Sequence, residues 1–146
     1  MSDDPHDLMR FLIAQDDSYE EALAEIRDGQ KQSHWMWYIF PRFDWPGASE
    51  VGRRYSIKSL DEAVAYLAHL ILGQRLIAIS EAAIAIKGKS ADAVFGEIDA
   101  WKLHGCATLF ARISQEGSVF HRLLDNYFGG LPAKETLELL GALKDK

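Results

Sequence analysis

The chain has 146 residues, 48% hydrophobic and 26% charged, with a net charge of −6; this is the size and make-up of one globular domain with its own core. The acidic balance argues against nucleic acid, whose binding needs Lys and Arg to neutralise phosphates, and no apolar run approaches the ~18 residues of a membrane span. The one cysteine, Cys106, excludes an internal disulfide and a cysteine zinc cluster; with the acidic start Met1-Ser2-Asp3-Asp4-Pro5, which lacks the regions of a signal peptide, it points to a reducing, cytoplasmic setting.

In chain order the pattern is helical. Asp4-Pro5 places a capping residue before proline at a first helical position, and Leu8, Phe11 and Leu12 follow on one face. Ser18 with Glu21 reads as a capping box, opening a helix striped by Tyr19, Ala22, Leu23 and Ile26 and stopped by Gly29. A second box, Ser59 with Glu62, precedes Leu60, Ala63, Val64 and Leu67. Residues 70–87 carry Leu72, Leu76, Ile77, Ile79, Ala83, Ile84 and Ile86, a buried helix by length, ended by Gly88. Ser90 caps a short helix through Phe95, broken near Gly96. Asp99 is expected to cap a longer helix with Leu103, Cys106, Ala107, Phe110 and Ile113 inside. Ser118 opens another, with Phe120, Leu123, Leu124, Tyr127 and Phe128 inward, stopped by Gly129-Gly130. Leu137, Leu140 and Leu143 stripe a last helix. The fold expected is all-α: a single compact domain over residues 1–146, with about seven helices.

Two adjoining stretches depart from this pattern. Ser33-His34-Trp35-Met36-Trp37-Tyr38-Ile39-Phe40-Pro41 is dense in aromatic rings, and Pro41 to Tyr55 holds Pro41, Pro46, Gly47 and Gly52 around Trp45. Proline and glycine break helices, and a loop of roughly 15 residues is long enough to suggest function. The two stretches are expected to form one cleft.

The segments Lys31 to Pro41, Arg54-Tyr55-Ser56-Ile57, Asp61 to Leu67 and Thr108-Leu109-Phe110 resemble the bacterial domain-of-unknown-function family 1810, in the right order from about Asp7 to Leu140. The Ser-His-Trp-Met-Trp block is its most specific part. The resemblance implies a helical domain of this length and no established activity. Against the family's usual pattern, His104, Gly105 and Cys106 replace a basic residue and two serines, Arg42 replaces a glutamine, and an aspartate is lost near Ala133. Any ligand role of those serines is weakened here.

His34 is the candidate catalytic residue, since an imidazole beside indole rings can be tuned for proton transfer; the plainer role is fixing a loop by hydrogen bonds. Trp35, Trp37 and Phe40 read mainly as core. They cannot all lie on one side of a helix, so one ring, Trp37, is expected to line a surface or cavity. Lys31, Arg42, Arg53, Arg54 and Lys102 either converge on an anion or are solvated charges paired with Asp44, Glu50 and Asp99. Asp99 and Lys102, three residues apart, are a carboxylate base with its orienting cation, or a capping aspartate beside a lysine. Cys106 lies on an apolar stripe, which favours packing over a nucleophile. His6, His69 and His121 are scattered, so no metal site is expected, and no nucleophile-elbow, phosphate-loop or zinc-protease motif occurs; no cofactor is indicated. The expected ligand-binding set is Lys31, Ser33, Trp37, Arg54, Tyr55, Asp99 and Lys102, with Arg54 and Lys102 on the anion and Trp37 and Tyr55 stacking.

These residues suit a binding domain or small enzyme for an anionic, phosphate-bearing, nucleotide-like small molecule. The alternative is a non-catalytic protein–protein interaction module whose aromatics are core.

Overall fold

The computed structural model describes residues 4–144, with side chains to residue 141. The described residues form ten α-helices: α1 Met9–Asp16, α2 Tyr19–Arg27, α3 Met36–Ile39, α4 Glu50–Tyr55, α5 Leu60–Ala68, α6 Leu72–Ala85, α7 Ala91–Phe95, α8 Glu97–Arg112, α9 Val119–Phe128 and α10 Lys134–Lys144. The all-helical expectation holds, and the count exceeds about seven. Two of the additional helices, α3 and α4, are single turns inside the stretches read as an aromatic segment and a loop. The only β-type pairing among the described residues is an isolated parallel bridge between Phe43 and Ile57.

Helix starts show where local chemistry prevails. Ser59, Ser90 and Ser118 each accept the N–H three residues on, at 3.0, 3.1 and 3.3 Å, as expected of N-caps. The Ser18–Glu21 box does not form. Ser18 bonds the Tyr38 hydroxyl at 3.0 Å, and the Glu21 carboxylate shares the Ser33 hydroxyl with Glu25; tertiary partners take both groups. The first helix starts at Met9 rather than at Pro5, because Asp7 sits at φ 51°, in the left-handed region a helix cannot use. Asp4 still serves that start, accepting from the N–H groups of Leu8 and Met9 at 2.8 and 2.9 Å, and the Met9 bond chiefly holds its carboxyl below the usual range. Met1, Ser2 and Asp3 lie outside the described residues.

Helix α8 runs through the centre, packed against α7, α9, α10 and α5, while α6 lies on α2, α5 and α9. Leu103, Cys106, Ala107, Leu109 and Phe110 of α8 are fully buried. A chain of rings crosses the core from Phe11 through Tyr66 and Phe110 to Phe120, with centroids 5.0, 5.6 and 5.4 Å apart. Aromatic pairs at such spacings add to the apolar area they bury. Two stripes are narrower than expected. Val64 and Ile77 face solvent, while Tyr66, Gly73 and Ser80 turn inward, because α5 and α6 meet at 85° and present rotated faces to the core. Leu137 is also exposed and Leu140 is buried; Leu143 lies outside the described side chains. No single helix among the described residues is long and apolar enough to cross a membrane.

Candidate functional site

The aromatic segment is held from below by one carboxylate. Gly29, at φ +84°, ends α2 and turns the chain back over it. Glu25 then accepts the N–H groups of Gln32 and Ser33 at 2.7 and 2.9 Å, the Ser33 hydroxyl at 2.6 Å and the Trp35 indole N–H at 3.0 Å. Burial disfavours its charge, but these donors outweigh that and hold the carboxyl down to about 2. Trp35, Met36, Ile39 and Phe40 are consequently buried, Trp37 is half-buried and His34 is exposed. Trp37 is thus the ring left for a cavity.

The opposite wall is the junction of α7 and α8. Gly96, at φ +84°, is the N-cap of α8, and no side chain caps that helix. Asp99, expected to be the cap, instead sits in the first turn because Gly96 makes the reversal three residues earlier. A cleft of about 430 Å³ lies between these walls, lined among others by Lys31, His34, Met36, Trp37, Phe95 and Asp99. Glu97 and Ile98 line it too, so the first turn of a 16-residue helix faces the cavity. Unpaired N–H groups and the positive end of the helix dipole favour an anion at such a place.

Lys31 and Asp99 are the charged pair of the cleft, with Lys102 behind Trp37 reaching the same carboxylate. Lys31 Nζ is 2.8 Å from Asp99 Oδ2, and Lys102 Nζ is 3.8 Å from Asp99 Oδ1. Two ammonium groups therefore share the Asp99 carboxylate, while Glu97 adds a second carboxylate to the lining. Lys31 is also latched: its ammonium donates to the Ser33 carbonyl, lies 4.9 Å from the Trp35 ring, and its backbone N–H donates to Val94 at 2.7 Å. Lys102 is less engaged, 4.8 Å from the Trp37 ring. Burial lowers its pKa, the charges of Lys31 and Arg42 lower it further, and Asp99 opposes. The His34 imidazole is exposed and makes no side-chain hydrogen bond among the described residues.

The expected set divides in two. Lys31, His34, Trp37 and Asp99 meet at the cleft. Lys102 and Tyr55 lie behind Trp37, on a cavity of only about 10 Å³ shared with Arg42, Trp45 and Gly52. Tyr55 packs on Phe11 and Tyr38 at 6.1 and 5.3 Å. Ser33 is an anchor to Glu25 rather than a wall. The Arg54 and Arg53 side chains are exposed and line neither cavity; the Arg54 carbonyl accepts from Arg10 Nε at 2.7 Å. The single cleft expected from the aromatic segment and residues 41–55 therefore needs correction. Helix α4 shortens that loop, and Trp45 closes on Gly52, where a Cβ would meet its ring at 3.1 Å. The partner wall comes from 95–99 instead.

Cys106 is fully buried, and burial pushes its thiol far above the usual range, which removes it as a nucleophile. His69 Nδ1 accepts from the N–H groups of Ile71 and Leu72 at 3.1 and 3.2 Å, and His121 bonds Ser118 at 2.7 Å, both at helix starts. Glu25 gives no sign in the sequence: on the pattern alone it lies on a polar helix face, and nothing local says that a loop returns to it. For α8 the signals were Asp99, expected as the cap but lying in the first turn, and Gly96, expected only as a break.

An all-α domain with a cleft between an aromatic latch and an uncapped helix start is the class this structure defines. The chain belongs to the DUF1810 family of proteins of unknown function, which it matches over residues 5–140. It is similar to the conserved hypothetical protein Rv1873 from Mycobacterium tuberculosis, known from a crystal structure, with 41% sequence identity and a TM-score of 0.92, over 94% of this chain and 99% of that one. No curated protein matches the chain significantly.

Proposed function

We propose that the cleft binds an anionic, phosphate-bearing small molecule of nucleotide type, and that His34 serves there as acid or base. The carrying observation is the uncapped start of α8 facing a cleft lined by Lys31, whose ammonium pairs with Asp99. A phosphate fits donors of that kind. The half-buried Trp37 supplies a flat apolar wall for a base or sugar. His34, exposed at the rim, is free to exchange a proton with a bound group. Glu97, also at the cleft, disfavours a second anion on its side and so directs the charged end of the ligand toward Lys31. We further read the chain as a bacterial, cytoplasmic protein, in keeping with its single buried thiol.

Thermal-shift titration with nucleotides, sugar phosphates and pyrophosphate tests this reading. A ligand at 100 times its dissociation constant adds ~2.7 kcal/mol. His34→Ala is expected to keep the stability of the free protein within about 0.5 kcal/mol, as exposed substitutions usually do, while turnover is lost. Lys31→Ala, which removes the ammonium lining the cleft, is expected to weaken binding by about tenfold, roughly the 1.4 kcal/mol of one charge-assisted contact. No shift with any anion, or a shift untouched by Lys31→Ala, would count against it.

A further inference from the structure

A second pocket, of about 470 Å³, opens on the far side of Arg42 and shares no lining residue with the cleft. Its walls are Trp45, Trp101 and Leu139, and α10 sets Glu135 and Glu138 at its edge. Arg42 forms its floor. The guanidinium carbon lies 4.3 Å from the Trp45 ring and 4.0 Å from the Trp101 ring, in the corner of two indoles that stand at 86° to each other. The residue is 5% exposed, and its Nε and Nη1 are buried without a hydrogen-bond partner. Thr136 Oγ1 nearby is buried and unpartnered as well. Space for the guanidinium depends on Gly105, where a Cβ would come within 3.2 Å of Arg42 Nε.

A buried cation whose donors go unused is costly, and cation–π contact offsets only part of that cost. Burial accordingly pulls the Arg42 pKa down to about 10, against the attraction of Glu135. The arrangement is incomplete on one side only. Nε and Nη1 are sealed from the pocket, so the guanidinium nitrogen left to meet an acceptor there is Nη2, while Glu135 and Glu138 are exposed carboxylates that would repel a simple anion. One charge pattern satisfies both: a carboxylate on the arginine and an ammonium on the glutamates, with an apolar body along the indoles.

We propose that this pocket binds a free amino acid with a large apolar side chain as its zwitterion, the carboxylate on Arg42 and the ammonium on Glu135 and Glu138. The volume lies in the range of small-molecule sites. Selectivity for the carboxylate follows from Arg42, whose buried guanidinium stays unpaired without it, and the exposed glutamates add attraction for the ammonium. The site is independent of the anion cleft, and its failure would leave the proposal for the cleft untouched.

Titration of the full chain with L-tryptophan and L-leucine, followed by calorimetry and by the indole N–H resonances of Trp45 and Trp101, tests the proposal. Tryptophanamide, which lacks the carboxylate and mimics a peptide N-terminus, is expected to bind at least tenfold more weakly. N-acetyltryptophan, which lacks the ammonium and mimics a peptide C-terminus, is expected to do the same. Glu138→Gln, an exposed change that leaves the fold intact, should weaken L-tryptophan about tenfold, and Arg42→Gln should abolish binding. Saturable binding with that ranking supports the site. No movement of either indole resonance at millimolar amino acid overturns it, as does equal binding of all three tryptophan derivatives or indifference to Glu138→Gln.

Discussion

Glu25→Ala is expected to destabilise the protein by about 3 kcal/mol, a drop in melting temperature on the order of 10 °C. The carboxylate gathers two backbone N–H groups, the Ser33 hydroxyl and the Trp35 indole, and truncation strands all of them at a partly buried turn. Hydrogen bonds to a charged group are each stronger than neutral ones, so Glu25→Gln should recover only part of the loss. The pH dependence carries a definite sign. The folded carboxyl sits at about 2 against an ordinary 4.5. Its contribution is therefore complete above pH 4.5 and is lost as pH falls toward 2. Denaturation of wild type and Glu25→Gln at a series of pH values checks this: the gap between them should be widest near neutrality and close in acid. A gap that stays constant down to pH 2 would mean that the charge does not anchor the segment. Because the same turn positions His34 and Trp37, the variant should also bind cleft ligands poorly where it still folds.

Gly73→Ala is expected to destabilise by roughly 3–5 kcal/mol, measured as a lower urea midpoint with unchanged slope. Alanine is the better helix former by about 1 kcal/mol, so propensity alone predicts the opposite sign. Packing decides instead. A Cβ at Gly73 would lie 2.0 Å from the Leu67 carbonyl oxygen, and backbone cannot move aside as a flexible side chain can. This close approach lets α6 fold back on α5 at 85°. A neutral or stabilising Gly73→Ala would show that the two helices meet less tightly.

These two residues mark the boundary of what the sequence can reveal. The helical class, the serine caps at 59, 90 and 118 and the buried faces of α8 and α9 follow from spacing, because their determinants are three or four residues apart. The inward face of Trp35 and the outward one of Trp37 were also legible, since adjacent rings cannot share one side of a turn. Gly73 gave no such signal, because its partner carbonyl belongs to another helix. Ser18 and Glu21 have the residues of a capping box and yet bond Tyr38 and Ser33, partners 20 and 12 positions away. Lys31, His34, Trp37 and Asp99 stood out by their chemistry, and the fold brings all four to one cleft. That residues 95–98 stand opposite the aromatic segment was not legible, since only the tertiary fold brings the start of α8 there. Arg54 illustrates the converse: its charge suggested an anion ligand, and the turn of α4 sends the side chain to solvent.

The most direct test of the anion cleft is an amide NMR titration of the full chain with inorganic pyrophosphate. Saturable shifts at Glu97, Ile98 and Asp99, together with the Trp37 indole N–H, are the result expected of a phosphate held at the start of α8. Shifts confined to exposed lysines and arginines elsewhere, or none at millimolar pyrophosphate, would contradict it.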